Sequence, residues 1–293
     1  VSDPFRCATS ARERGDDLGA TAVPVRTWVL VEYAGGWPIK GFADLDIDRA
    51  VRAEVHAAAV AAGARIQLVR RHGRQPERAA HRWAVLQHDG LRQQWGTWER
   101  DDELRAIIPA LSRQGEPGHP PVLLVCTHGV HDVCCAVRGR PVAAALADRW
   151  SEQAWECDHV GGDRFAANLV VAPGGYYFGG LDPETAVQVV DAYDSGRIFA
   201  TYLRGSTTTT APGQAAMIEA VRRFGPVTPD SLKVVDMRRD DDRVWVRLAG
   251  SAPLPASMEA EVVARRTAAA RLTCRATRET NAVVYDVVSL TAR

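Results

Sequence analysis

Apolar positions recur along the first part of the chain at two spacings, and the alternation between them marks out successive elements. Residues 28–32 (WVLVE) form a continuous apolar, β-branched run that stops before Gly35 and Gly36, which predicts a buried strand. Val51, Val55, Ala59 and Ala62 then repeat at helical spacing, with Asp48 as the N-cap and Gly63 as the stop. Residues 66–69 predict a second strand. Residues 83–87 and 91–95 flank Asp89-Gly90, a turn signal for a β-hairpin. Asp101 opens a last helix that carries Leu104, Ile107, Ile108 and Leu111.

A Pro/Gly-rich linker (GEPGHPP, residues 115–121) follows, and then the same order returns. Residues 122–125 predict a strand, 141–150 a helix with Pro141 in its first turn, and 154–157 a further strand. Residues 168–171 and 176–178 frame a second hairpin around Pro173-Gly174-Gly175, and Asp182-Pro183-Glu184 opens a helix with Val187, Val190 and Tyr193. Corresponding elements lie roughly 80 to 95 residues apart, which predicts a diverged duplication. The β-α-β-β-α order with a terminal hairpin is that of a thioredoxin-like half. The expected architecture is therefore α/β: two thioredoxin-like halves at residues 1–115 and 120–204, then a small C-terminal α/β appendage at 205–293. In the appendage a polar loop (GSTTTTAPG, 205–213) leads into a helix at 214–224. Strands are expected around Val234-Val235, at 244–248 and at 282–288, with an alanine-rich charged stretch at 259–270 between them.

Composition narrows the function. The 293 residues are 46% hydrophobic and 25% charged, which is ordinary globular usage. Thirty-six basic residues balance thirty-six acidic ones, so no basic excess points to nucleic acid. No apolar run approaches the ~18 residues of a membrane span, and the first residues (VSDPFRCATSARERGDD) lack the apolar core of a signal peptide, so a cytoplasmic location is expected. Six cysteines are too few for a disulfide scaffold, and they are uneven. Cys126, Cys134, Cys135 and Cys157 cluster, while Cys7 and Cys274 lie near the ends. Clustered thiols in a reducing compartment point to metal or redox chemistry.

The chemistry concentrates in VCTHGVHDVCCAVRGRP (residues 125–141) and WECDHVGGDRFAANLVV (155–171). Cys126 and Cys135 from the first segment with His159 and Asp163 from the second make a candidate four-ligand set. Gly161-Gly162 between the latter pair permits a tight bend. No C-x2-C pair occurs, so the spacing is not that of a zinc finger, although sulfur with imidazole suits either zinc or an iron–sulfur cluster. Asp132 is placed to cap or turn the first loop. His128 and His131 in the same loop are placed either to shield or hydrogen-bond the sulfurs or to lie exposed. Arg138, Arg140 and Arg164 either balance a negative site or form solvated surface, and Arg204 beside residues 206–210 either binds an anion or lies in a flexible connector.

These two segments, with GRP after the first and FAAN after the second, resemble the sucrase/ferredoxin-like family, whose members are similar to thioredoxin-like 2Fe–2S ferredoxins. Cys7, Trp28, Glu32 and YLRG at 202–205 also fit the family's pattern. The resemblance implies a 2Fe–2S cluster held by two cysteines and two histidines, the histidines replacing a Cys-x3-Cys pair. Carried over, the ligands are Cys126, Cys135 and His159, and the second histidine falls on Asp163, a departure at a ligand position. Two thiolates neutralise the roughly +2 charge of two ferric ions and two sulfides. A carboxylate ligand adds a negative charge, so the reduction potential is expected below that of a two-histidine relative. A cluster completed by Cys157, one with an open iron position, and loss of the metal are the alternatives.

The function expected from the resemblance is one-electron transfer to or from a redox partner protein, with the first half a clusterless scaffold in which Tyr33 and Ala34 stand about where Cys126 does. The alternative is an enzyme at the same site: an oxidoreductase that uses the cluster, or a zinc hydrolase with Asp163 as base. Neither a Ser-His-Asp pattern nor a phosphate-binding glycine loop supports sucrase chemistry.

Overall fold

The computed structural model describes residues 5–73 and 80–292. Helix α1 (Cys7–Arg14) comes first. Strand β1 (Thr27–Glu32), helix α2 (Arg49–Ala61), strand β2 (Ala64–Arg70) and the hairpin of β3 (His81–Gln87) and β4 (Arg92–Trp98) then follow as the apolar spacing predicts. Asp48 caps α2, its carboxylate accepting from the N–H groups of Ala50 and Val51 at 2.9 Å each. The helix expected from Asp101 is divided into a 3-10 turn (Asp101–Ala106) and α3 (Ile107–Leu111). Pro109 has no N–H for an α-helical bond to Arg105, so it is accommodated only in the first turn of α3.

The second series is β5 (Val122–Cys126), α4 (Val133–Arg149), β6 (Ala154–Cys157), β7 (Leu169–Ala172), β8 (Tyr176–Phe178) and α5 (Pro183–Asp194). Helix α4 begins eight residues before the expected start at Pro141. Asp132 caps it, accepting from the Cys134 N–H at 2.9 Å, and Pro141 sits inside the helix. The cap outweighs the proline, which removes a single hydrogen bond, to the carbonyl of the exposed Val137. The remaining elements are β9 (Leu203–Ser206), α6 (Ala211–Phe224), β10 (Leu232–Asp240), β11 (Arg243–Gly250), β12 (Ser257–Ala270) and β13 (Thr280–Ala292).

The chain forms two compact units, one of Val25–Gly161 with Ala167–Gly175, the other of Val1–Pro24, Gly162–Ala166 and Tyr176–Arg293. In the first, seven strands lie in the order β4-β3-β1-β2-β6-β5-β7. Strand β1 pairs parallel with β2 and antiparallel with β3; β5 pairs parallel with β6 and antiparallel with β7. The two groups meet where β2 and β6 run antiparallel, Val69 opposite Cys157 and Arg70 opposite Glu156. The pairing pattern thus repeats about that seam. Since Glu32 is the partner of Val69 and Cys126 the partner of Cys157, Glu32 is the equivalent of Cys126, one residue before the expected Tyr33. Strand pairing, rather than counting along the chain, sets the equivalence. Val29, Val31, Phe42, Leu45, Val55, Leu68, Trp83 and Ile107 form the core between α2, α3 and the first group of strands.

In the second unit β8 pairs with β9, and β10, β11, β12 and β13 make an antiparallel sheet against which α6 packs. The alanine-rich stretch at 259–270 is β12, bonded to β11 on one side and β13 on the other; pairing on both edges overrides the helical preference of its alanines. Arg204 is not in a flexible connector. It lies in β9, almost fully buried, and its guanidinium donates to the Thr21 hydroxyl at 3.0 Å and carbonyl at 2.7 Å.

Two contacts hold the β5–α4–β6 core. Gly139 lies directly against the Cys126 carbonyl, and a Cβ at that position would overlap the oxygen. Buried Glu156 accepts from Arg70 at 2.8 Å, His72 Nδ1 at 2.8 Å and the Thr127 hydroxyl at 3.0 Å. Burial pushes its carboxyl up, but the bonds from His72, Arg70 and Thr127 outweigh it and hold the group below its ordinary value.

Gly139→Ala is expected to destabilise the protein by about 1–3 kcal/mol in denaturant unfolding, because the helix must move off the strand. A carboxyl held low in the folded state stabilises it above the ordinary glutamate range and loses that contribution as pH falls through the lowered value. Glu156→Gln is therefore expected to flatten the acid limb of the stability–pH curve relative to wild type, measured by thermal unfolding.

Candidate metal centre

Cys126 closes β5, and its N–H donates to the Asn168 carbonyl at 3.1 Å. The chain then turns through 127–132, where the N–H groups of His131 and Asp132 both bond the His128 carbonyl, at 3.2 and 3.1 Å. Capping by Asp132 places Cys135 in the first turn of α4, where the helix's positive end favours a thiolate. As expected from its position, Asp132 is a capping residue.

His159 arrives from the other side, two residues beyond β6. Its segment is pinned to β2: the Asp158 N–H donates to the Leu68 carbonyl at 2.9 Å, and the Leu68 N–H returns a bond to the Asp158 carboxylate at 3.2 Å. Gln67 Nε2 also donates to that carboxylate, and Arg65 donates to the His159 carbonyl at 2.6 Å. Burial pushes the Asp158 carboxyl up to about 7. Its other oxygen fills the space that a side chain at Gly41 (φ +59°) would occupy, so the chain there passes close only because position 41 is glycine.

The result is a convergence of Cys126 Sγ, Cys135 Sγ and a ring nitrogen of His159, all within 4.8 Å of one another. A hydrogen bond from Cys135, aided by His159 and the His128 N–H, holds the Cys126 thiol well below its ordinary value despite complete burial. Its partner across the strand pair behaves oppositely: burial, reinforced by the Cys126 charge, pushes Cys157 well above its ordinary value. Cys157 is thus a protonated, packed thiol. Two sulfurs and an imidazole within reach of one ion form a site able to chelate a metal, and an anionic sulfur is the form a metal takes.

The expected residues are distributed as follows. Cys126, Cys135 and His159 come together inside one compact unit. Asp163 is buried and opens a 3-10 turn (Asp163–Phe165) that belongs to the other unit. His128 is buried rather than exposed; its Nε2 donates to the Trp37 carbonyl at 3.2 Å, and burial lowers its basicity so that the ring is neutral. His131 is half-buried in the same loop. Arg140 is exposed, whereas Arg164 pairs with Asp16 at 3.4 Å. Cys134 is buried, as is Cys7, and Cys274 is half-buried.

Sequence reasoning missed the groups that hold the site: Gly139, Arg65, Gln67 and the Trp37 carbonyl. None carries a local signal. A cleft of about 530 Å³ reaches the centre, with Lys40, His56, Arg65, His128, His131 and His159 among its lining. Its size is that of a small-molecule site.

Among the described residues, no helix is long and apolar enough to cross a membrane. Comparison with curated proteins and with solved structures returns no match. The sucrase/ferredoxin-like family model matches residues 18–205, most of the chain, and the protein belongs to that family.

Proposed function

We propose that the protein is a one-electron carrier whose second thioredoxin-like half holds a 2Fe–2S cluster through Cys126, Cys135 and His159. One observation carries this reading: two thiols and an imidazole, brought from the same end of a parallel strand pair, meet in a chain of this family.

The residues fit such a group. Cys126 is biased toward the thiolate, and Cys135 stands at a helix N-terminus that favours its thiolate on binding, so the two would supply two negative charges where a cluster carries about +2. When bound, the cluster takes up and gives back a single electron. The chain's own part is to set how readily this happens. The His128 backbone N–H bonded to Cys126 sulfur lowers the electron density there, and burial of both cysteines excludes water from the sulfur side. His159, half-buried and facing the cleft, is the edge at which a redox partner protein exchanges the electron. The first half, with Glu32 at the position equivalent to Cys126, serves as scaffold or docking surface for a protein expected in the cytoplasm.

The cleft favours one other reading, an oxidoreductase or zinc hydrolase whose small substrate enters beside His159. Metal content separates the zinc hydrolase from a cluster protein, and turnover of a small substrate separates the oxidoreductase from the carrier.

Protein purified without oxygen is expected to be red-brown, with iron and acid-labile sulfide in equal amounts; colourless protein with one zinc and no sulfide would sink the cluster reading. Cys126→Ser and Cys135→Ser should each lose most of the iron and sulfide, whereas Cys157→Ala should keep them, as measured by metal and sulfide assay on folded protein.

A further inference from the structure

A cluster of the proposed kind needs four donors, and three stand together within one unit. A fourth candidate lies in that same unit. The ring of His131 is stacked on that of His159, with centroids 3.6 Å apart and planes inclined by 17°. Both rings line the cleft wall. His131 also lies on the loop that joins Cys126 to Cys135, so it is tied on either side to a sulfur donor.

Its hydrogen bonding sets the tautomer. His131 Nδ1 is 3.3 Å from the Ile39 carbonyl, and a carbonyl only accepts, so Nδ1 carries the hydrogen. A ring that donates from Nδ1 offers Nε2 as its coordinating atom toward a metal. An imidazole whose far N–H rests on a backbone carbonyl is the usual arrangement of a histidine ligand, because the outer bond fixes the ring and raises the basicity of the inner nitrogen. The acceptor belongs to a short strap, residues 37–39, whose Trp37 carbonyl holds His128 in the same way. His128 is the weaker candidate: its ring is 5.7 Å from that of His131, and it is His131, not His128, that lies against His159.

Charge favours the same residue. Two thiolates already neutralise the oxidised cluster, and a neutral imidazole leaves that balance intact where a carboxylate adds one negative charge. We propose that His131 supplies the fourth donor, so that the centre has two thiolates and two imidazoles and Asp163 stands outside the coordination. The proposal rests on the cluster reading above.

Pulsed electron paramagnetic resonance on the reduced, anaerobically purified full chain, prepared with natural and with 15N-labelled histidine, counts the coordinated imidazole nitrogens without any substitution. Two are expected in wild type and one in His131→Gln. Asp163→His, which restores the family pattern, is expected to leave both the count and the midpoint potential where they were. A cluster with a single coordinated nitrogen in wild type overturns the proposal alone, as does a potential that rises with Asp163→His. Absence of iron and sulfide overturns the cluster reading and the proposal together, and the assay that detects it is independent of the nitrogen count.

Discussion

The centre depends on the register of two parallel strands. Because Cys126 and Cys157 are partners across β5 and β6, both strands end at the same level, and the segments that leave them emerge side by side. One segment turns into α4 and returns a second sulfur; the other runs on two residues and presents His159. A shift of one residue between the strands would move one segment by about 3.3 Å and turn its side chains to the opposite face. The Leu68–Asp158 bonds and the Glu156 network fix that register from the β2 side, and close contact of Gly139 with the Cys126 carbonyl fixes α4 from the other.

Within this frame two buried thiols next to one another are held in different states by what they accept. Cys126 takes hydrogen bonds from a thiol, an imidazole and a backbone amide, whereas Cys157 lies buried in the strand pair beside a sulfur whose charge opposes its own ionisation. Burial is common to both, so burial alone does not explain reactivity at this site. Position matters more. Cys126 lies at the mouth of a loop whose His128 N–H reaches its sulfur, and Cys157 lies within the β-ladder.

Much of this was readable in the sequence, and the failures have identifiable causes. Helix α2 and the β3–β4 hairpin follow from local spacing and caps at Asp48 and Asp89-Gly90. The convergence of Cys126, Cys135 and His159 is foreshadowed by the clustered cysteines and the family pattern. Helix α4 starts before Pro141, where spacing and the proline rule place it, because the Asp132 cap outweighs one lost bond. β12 carries no local strand signal because alanine is a weak strand former, and pairing on both edges is invisible to local spacing. Arg65, Gln67 and Gly139 act across the fold on partners far along the chain, so no window of sequence contains the contact.

The antiparallel seam between β2 and β6 repeats one pairing pattern on either side, with Glu32 answering Cys126. That is the geometry of two identical subunits joined edge to edge about a dyad. Pairing across the seam covers a strand edge that either group of strands alone would leave open to association. At the position that answers Cys126 the chain places no sulfur: the Glu32 carboxylate there accepts from the Arg82 N–H of β3 at 2.8 Å and so ties neighbouring strands together.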